Sequence, residues 1–280
     1  TGDATVFLAE QLRGSDAQIV AIDLSTTAIG ISKARLAQRG LTNVTHHHMS
    51  ILDLPKAGFE PFDVIECAGV LHHLEDPDLG LAALASQLKE DGLMTVMVYA
   101  LYGRLAVYMT QGLMKNLVTD DMRPELKVRV AREFLGNIPK GHWMGMNNER
   151  FLPEINWPDG SGIYDLFLHS NDRAYTVPEV YQWVDGAGLN LVNFYGDFVG
   201  GSQYVPESYT GSLLLQALLQ SKSEPERQTI AELMHGHMIK HSFYTAKEFK
   251  PDPEFTDDMV IVYSFRQAIY AKTFPHEMRA

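Results

Sequence analysis

A single cysteine, Cys67, in 280 residues excludes an internal disulfide and fits a reducing compartment. Basic residues are scarce: 23 Lys and Arg face 35 Asp and Glu, for a net charge of −12. That balance argues against a nucleic-acid surface, because phosphate binding wants a basic stripe. No apolar run approaches the roughly 20 residues of a membrane span, and no signal-peptide pattern opens the sequence. Repeats at solenoid spacing and low-complexity tracts are also lacking. The expectation is a cytoplasmic protein with neither membrane nor nucleic-acid partners. Apolar content of 45% with 21% charged is ordinary for a packed protein. The length suits about two domains or one elaborated domain.

The chain turns on residues Phe62 to Tyr99. Phe62 to Ala68 is an apolar run broken only by Asp63 and Glu66, and reads as a buried parallel strand. LHHLEDP follows as a polar loop. Leu79 to Leu88 has helical apolar spacing, Asp91-Gly92 signals a turn, and Leu93 to Tyr99 reads as a second buried strand. The unit is β-loop-α-β, with its polar loop where open α/β sheets bind ligands.

Upstream, Val6, Leu8, Ala9 and Leu12 make a helical stripe fed by Thr1-Gly2-Asp3. Such a helix normally follows a strand, so the polypeptide is expected to continue upstream. Gln18 to Leu24 reads as a strand ending in Asp23. An acidic residue roughly 20 positions past a glycine loop can accept hydrogen bonds from a ribose. Its alternative role is to cap the helix Ser25 to Gln38, for which Ser25 competes. Val44 to Met49 is a third strand, with Ser50 to Pro55 as its exit loop. His46, His47 and His48 alternate across that strand, so they form no obvious metal cluster.

Strands alternating with helices predict a doubly wound parallel sheet. The pattern then changes. Gly103 to Val118 and Pro124 to Leu135 read as two amphipathic helices without a strand between them. Residues 105 to about 170, with Trp143 and Trp157, are expected to form an inserted helical cap. Thr176 to Asp185 is a helix with Thr176 as N-cap, and Leu189 to Tyr195 a further strand. Gly211 to Gln220 and Glu224 to His241 read as helices of a C-terminal extension over residues 201–280. Met259 to Ser264 is the expected last strand. His237 and His241 would share a face of the second helix while His235 points elsewhere. No acidic or cysteine ligand sits at matched spacing, so a solvated face is expected rather than a metal site.

TGDATVFLA, VAIDLS, SILDLP, FDVIECAGVLHHLEDP and LKEDGLMTVMVY together resemble class I S-adenosylmethionine-dependent methyltransferases over residues 1 to 104. VYALYGR and HSNDRAYTVPEVYQWVDGAGL are similar to a bacterial subgroup sometimes fused to tetratricopeptide repeats. The resemblance implies a Rossmann-like methyltransferase sheet: a core of residues 1–104 with its first strand upstream, a cap of 105–170, and a return to the sheet at 171–200. It implies S-adenosylmethionine as cofactor and S-adenosylhomocysteine as product. Gly2 and Asp3 would lie against the methionine part, with Leu24 and Ser25 beside Asp23 at the ribose. Ser50 and Ile51 would flank adenine, and Cys67, Ala68 and Val70 line the floor. Ser50 stands where many relatives carry Asp, so adenine recognition falls to a backbone carbonyl or to Asp53. The phosphate-binding lysine of a P-loop is lacking, as a cofactor without phosphate allows.

Methyl transfer needs in-line positioning, proton removal and exclusion of water. Candidate bases are His72 and His73, whose imidazoles titrate near neutrality. Tyr99, Tyr102 and Arg104 leave the last strand of the unit above the same crevice. Arg104 suits an acceptor carboxylate or, alternatively, a surface salt bridge. His169, Asp172, Arg173 and Tyr175 form a tight polar cluster, expected in the acceptor pocket. The acting groups are taken as His72, Tyr99, Arg173 and Tyr175, with His73, Tyr102, Arg104 and His169 lining the pocket. The acceptor is a nucleophilic nitrogen or oxygen of a small molecule, or alternatively of a peptide side chain; an oligomer is compatible with either. A nicotinamide dehydrogenase would use Asp23 equally well, but Thr5 stands where its third glycine belongs. A non-catalytic cofactor-binding module is the remaining alternative.

Overall fold

The computed structural model describes residues 2–146, 151–169, 171–196 and 202–248. Helices and strands alternate from the start: α1 (Asp3–Gln11), β1 (Ile19–Asp23), α2 (Thr26–Arg39), β2 (Val44–His48), β3 (Phe62–Ala68), α3 (Pro77–Ser86) and β4 (Leu88–Ala100). Local chemistry sets these boundaries. The Ser25 hydroxyl caps α2 by accepting the Ala28 N–H at 3.1 Å, and Gly40 ends it in the left-handed region. Asp76 accepts from the N–H groups of Asp78 and Leu79 at the head of α3, where Pro77 needs no hydrogen bond.

β1 and β2 pair in parallel, and so do β3 and β4. Five helices follow: α4 (Leu105–Leu117), α5 (Pro124–Gly136), α6 (Trp143–Met146), α7 (Leu152–Ile155) and α8 (Ser161–Phe167). The chain then returns through β5 (Ala174–Tyr175), α9 (Val177–Gly186), β6 (Asn190–Tyr195), α10 (Leu213–Leu219), α11 (Glu224–His235) and β7 (Lys240–Ala246). β7 inserts antiparallel between β4 and β6, giving the order β3-β4-β7-β6, while short β5 pairs with the end of β4. The fold is thus a mostly parallel, doubly wound α/β sheet. Its β1–β2 pair is not hydrogen-bonded to β3, and no strand among the described residues joins the two parts.

Three expectations are corrected. β4 starts at Leu88, not Leu93: the chain does not turn at Asp91-Gly92 but passes through an irregularity where pairing jumps from Phe62–Leu88 to Val64–Leu93. The helix expected to reach His241 stops at His235, because Gly236 takes φ 69° and ends it. His241 therefore sits on β7, fully buried, rather than on a solvated helix face. The strand expected over Met259 to Ser264 lies outside the described residues. No helix among them is long and apolar enough to cross a membrane, and none of their His, Cys, Asp and Glu side chains cluster as a metal site would need.

The main core joins Ile65 and Cys67 of β3, Met94, Val96 and Val98 of β4, and Leu81 and Leu84 of α3. The helical segment has a separate core built around Val107, Met114, Ala131, Ile163, Leu166 and Phe167. On the sheet's other face, partial desolvation raises the Glu66 carboxyl to about 7 against the lowering effect of its hydrogen bond with Thr95. The fold thus disfavours the charged form, and stability falls as the pH rises from about 4.5 through 7. Glu66→Gln should raise Tm at pH 8 and leave it nearly unchanged at pH 5, read by thermal melts at both values. Equal effects at the two values would disprove this assignment.

Candidate active site at the strand ends

Apolar side chains stand open just past the carboxyl ends of β1, β2 and β3. Leu24 is 66% exposed, Leu52 44% and Val70 41%. Asp23 ends β1; its Oδ1 accepts the Ser25 N–H at 2.7 Å, leaving the side chain in solvent. It thus braces the turn, and Ser25 rather than Asp23 caps α2. The His48 Nε2–H donates to the Leu24 carbonyl at 2.9 Å and braces the same turn. Ser50 accepts from the Leu52 N–H at 3.1 Å and starts the turn that carries half-buried Ile51. Gly2 has φ 70°, and a Cβ there would stand 2.7 Å from the Ser32 Cβ. Glycine is thus needed for the approach of α1 to α2. Asp3 pairs with Arg35 at 2.7 Å. Ala68 is exposed at the end of β3, whereas Cys67 points into the core, where burial pushes its thiol up to about 12. An exposed carboxylate that can accept hydrogen bonds from ribose hydroxyls, with the open Leu24 side chain next to it, fits a nucleoside.

A second group gathers beyond β3 and β4. The turn Leu71–His73 follows β3, and the turn Tyr102–Arg104 follows β4. The His72 ring centre lies, tilted, 3.9 Å from that of Tyr99 and 4.2 Å from that of His73, which lies 4.3 Å from His169. The Arg104 guanidinium sits 3.5 Å over Tyr99. Tyr102 is half-buried beside it. The sequence therefore identified five members of one cluster: His72, His73, Tyr99, Arg104 and His169.

His72 is fully buried, and neither ring nitrogen has a hydrogen-bond partner. Burial, with the charges of His73, Arg104 and His169, lowers its pKa to about 3. It is therefore uncharged at neutral pH. The Arg104 Nε is likewise buried without a partner. Buried polar groups left without partners are costly and call for a reason, of which a role in binding or catalysis is one. Arg104 is not in a surface salt bridge: it meets Asp172 at 3.5 Å, with both side chains 4% exposed or less. Asp172 also accepts from Gln111 at 2.9 Å and Tyr108 at 3.4 Å. It thereby ties α4 to the strand ends. Sequence reading had no signal for Gln111 and Tyr108, which look like the polar face of an amphipathic helix.

Arg173 and Tyr175 stand behind this cluster. The Arg173 N–H donates to the His72 carbonyl at 3.0 Å, and its guanidinium lies 4.6 Å over the Tyr175 ring. Tyr175 is fully buried and stacks on Trp183 at 4.8 Å. Trp143 and Trp157 are 48% and 49% exposed. A cavity of about 340 Å³, bordered by Phe194, Tyr204, Arg227 and Gln228, includes none of these groups.

Residues 1–94 match the family model described as a methyltransferase domain. An uncharacterized protein of Synechococcus sp. is 28% identical over 94% of this chain and 62% of its own length. A ubiquinone biosynthesis O-methyltransferase of Aromatoleum aromaticum is 31% identical over 30% of this chain and 36% of its own. Among solved structures, PKMT2 from Rickettsia typhi in complex with AdoHcy superposes with a TM-score of 0.66 at 18% identity, covering 88% of this chain and 47% of that one. The chain thus spans less than two thirds of each of these relatives. The structural likeness shows a shared Rossmann-like methyltransferase fold.

Proposed function

We propose that this chain is an S-adenosylmethionine-dependent methyltransferase acting on a nucleophilic nitrogen or oxygen of an acceptor, with S-adenosylhomocysteine as product. The observation that carries the reading is a pair of polar groups that follow strand ends: the exposed Asp23 carboxylate at the end of β1, and the orphaned His72 beside Tyr99 beyond β3. The methyltransferase-domain match over residues 1–94 supports it. Asp23, Leu24 and Ser25 would hold the ribose end, and Ser50 and Ile51 the base. Gly2, Asp3, Ala68 and Val70 would line the remainder. The cofactor supplies an electrophilic methyl group on a sulfonium. His72, Tyr99, His73, His169, Tyr102 and Arg104 would line the acceptor side. His72, neutral and unpartnered, offers a lone pair to the acceptor's N–H or O–H, and the packed rings exclude water. Arg173 would position the His72 turn through its backbone bond rather than act on the acceptor, and Tyr175, buried beneath the Arg173 guanidinium, would support it. The helices α4 to α8 would form the cap, and the protein would work in the cytoplasm. Membership of the subgroup sometimes fused to tetratricopeptide repeats belongs to the same reading.

A thermal shift with S-adenosylmethionine, S-adenosylhomocysteine and NAD tests this directly, since a ligand that binds only the native state raises Tm. The first two should raise it and NAD should not; a shift by NAD alone sinks the proposal. Asp23→Ala should weaken S-adenosylmethionine binding by about 1.5–3 kcal/mol, the range for hydrogen bonds to a charged group. Unchanged affinity by calorimetry removes Asp23 from the site.

A further inference from the structure

Two half-buried histidines on the acceptor side are held by one residue, and the way each is held fixes which nitrogen carries its proton. His73 ends the turn after β3, and His169 follows α8. Their ring centres lie 4.3 Å apart, and that of His73 is 4.2 Å from His72. The His73 Nδ1 meets the Asn171 carbonyl at 3.0 Å. A carbonyl only accepts, so this nitrogen is the donor and holds the proton. The Asn171 N–H meets the His169 Nδ1 at 3.2 Å. A backbone N–H only donates, so this nitrogen holds the lone pair.

An uncharged imidazole has one N–H and one lone pair, so the remaining two nitrogens follow. The His73 Nε2 is a bare acceptor, and the His169 Nε2 carries a hydrogen. Neither Nε2 makes a hydrogen bond among the described residues. The pair thus offers one acceptor beside one donor. A carboxylate brings only lone pairs and would oppose the one on His73. An ammonium ion brings only N–H groups and would oppose the one on His169. A primary amide donates and accepts, but through two atoms. A hydroxyl does both through one oxygen. Bonds of ~2.8 Å on each side let that oxygen span nitrogens up to about 5.6 Å apart, which rings with centres 4.3 Å apart allow.

We infer that the acceptor carries a neutral hydroxyl, which donates to the His73 Nε2 and accepts from the His169 Nε2–H. This rests on the methyltransferase reading and adds to it the group by which the acceptor is recognised. His72 stands next to His73, fully buried with both ring nitrogens unpartnered. A hydroxyl held by the pair therefore brings the acceptor to the group that faces its reacting atom.

The test uses the full chain with isotope-labelled histidine, saturated with S-adenosylhomocysteine at pH 8 and read by long-range proton–nitrogen correlations. His73→Phe and His169→Phe assign the signals. His73 should show its proton on Nδ1 and His169 on Nε2. The sample is then titrated with benzyl alcohol, benzoate and benzylammonium, which share a ring suited to the aromatic walls. Only benzyl alcohol should bind, shifting both Nε2 signals. Its affinity should fall about tenfold in each phenylalanine variant, the scale of one lost hydrogen bond. S-adenosylhomocysteine affinity should stay unchanged there and report an intact fold. Reversed tautomers, benzoate or benzylammonium binding as tightly, no alcohol binding, or full alcohol affinity in either variant would each overturn the inference. Failure of S-adenosylhomocysteine itself to bind would instead overturn the methyltransferase reading.

Discussion

Asp172→Ala is expected to cost about 3–5 kcal/mol of stability, the range for removing one partner of a buried ion pair. The carboxylate is 2% exposed and holds three groups: Arg104, Tyr108 and Gln111. Its loss leaves the Arg104 guanidinium buried, with Nε already unpartnered, in a place where water does not reach it. It also removes the acceptor of a 2.9 Å bond from Gln111, itself 5% exposed. These partners lie on different elements, so the cooperative unit joining α4 to the ends of β3 and β4 should loosen. Urea titration gives the number. The double variant Arg104→Met/Asp172→Ala should recover most of the loss, because it removes the unpaired charge as well. A single-variant cost below about 1 kcal/mol would show that the pair contributes no more than a surface salt bridge does.

The first half of the fold was legible because its signals were local and mutually consistent. Ser25, Gly40, Asp76 and Thr176 stand where caps form, and the structure uses each as a cap. Thr176 even completes a reciprocal box with Glu179. β7 was not legible. Its sequence, KHSFYTA, places His241, Ser242 and Thr245 in the interior, so hydropathy gives no buried-strand signal. What makes those groups tolerable is non-local. The His241 Nε2–H serves the Tyr175 carbonyl and Glu232, and its Nδ1 meets the Tyr204 hydroxyl at 2.9 Å. Gly236 did mark the end of α11, and the apolar spacing beyond it concealed that signal. The candidate site divides the same way. His72, His73, Tyr99, Arg104 and His169 were found because they lie at strand exits or in dense polar runs. Tyr108 and Gln111 sit on α4, where sequence spacing gives no hint that they meet Asp172.

His72 should make stability depend on pH in a window that a surface histidine would leave flat. Its pKa is about 3 in the fold against 6.5 for an ordinary histidine, with burial the largest cause and the charges of His73, Arg104 and His169 adding to it. Between those two values the unfolded chain binds the proton and the native chain does not. Stability therefore rises with pH there. The contribution is fully present above pH 6.5 and is lost as the pH falls toward 3. From pH 7.5 to 4.5 the loss is about 2–3 kcal/mol, at roughly 1.4 kcal/mol per unit of pH below 6.5. Other groups titrate in the same range. Glu66, raised to about 7, works in the opposite direction, since its protonated form is the one the fold favours. The measurement is therefore a difference: urea titrations of the wild type and of His72→Leu at pH 7.5, 6.5, 5.5 and 4.5. Leucine fills a comparable buried volume and cannot charge, and Glu66 contributes equally to both chains. The wild type should lose ground to the variant by about 2–3 kcal/mol across the series, with most of the change below pH 6.5. Parallel curves would mean that the imidazole titrates alike in folded and unfolded chains. The orphaned ring nitrogens would then be reached by water, and His72 would lose its place as the neutral group facing the acceptor.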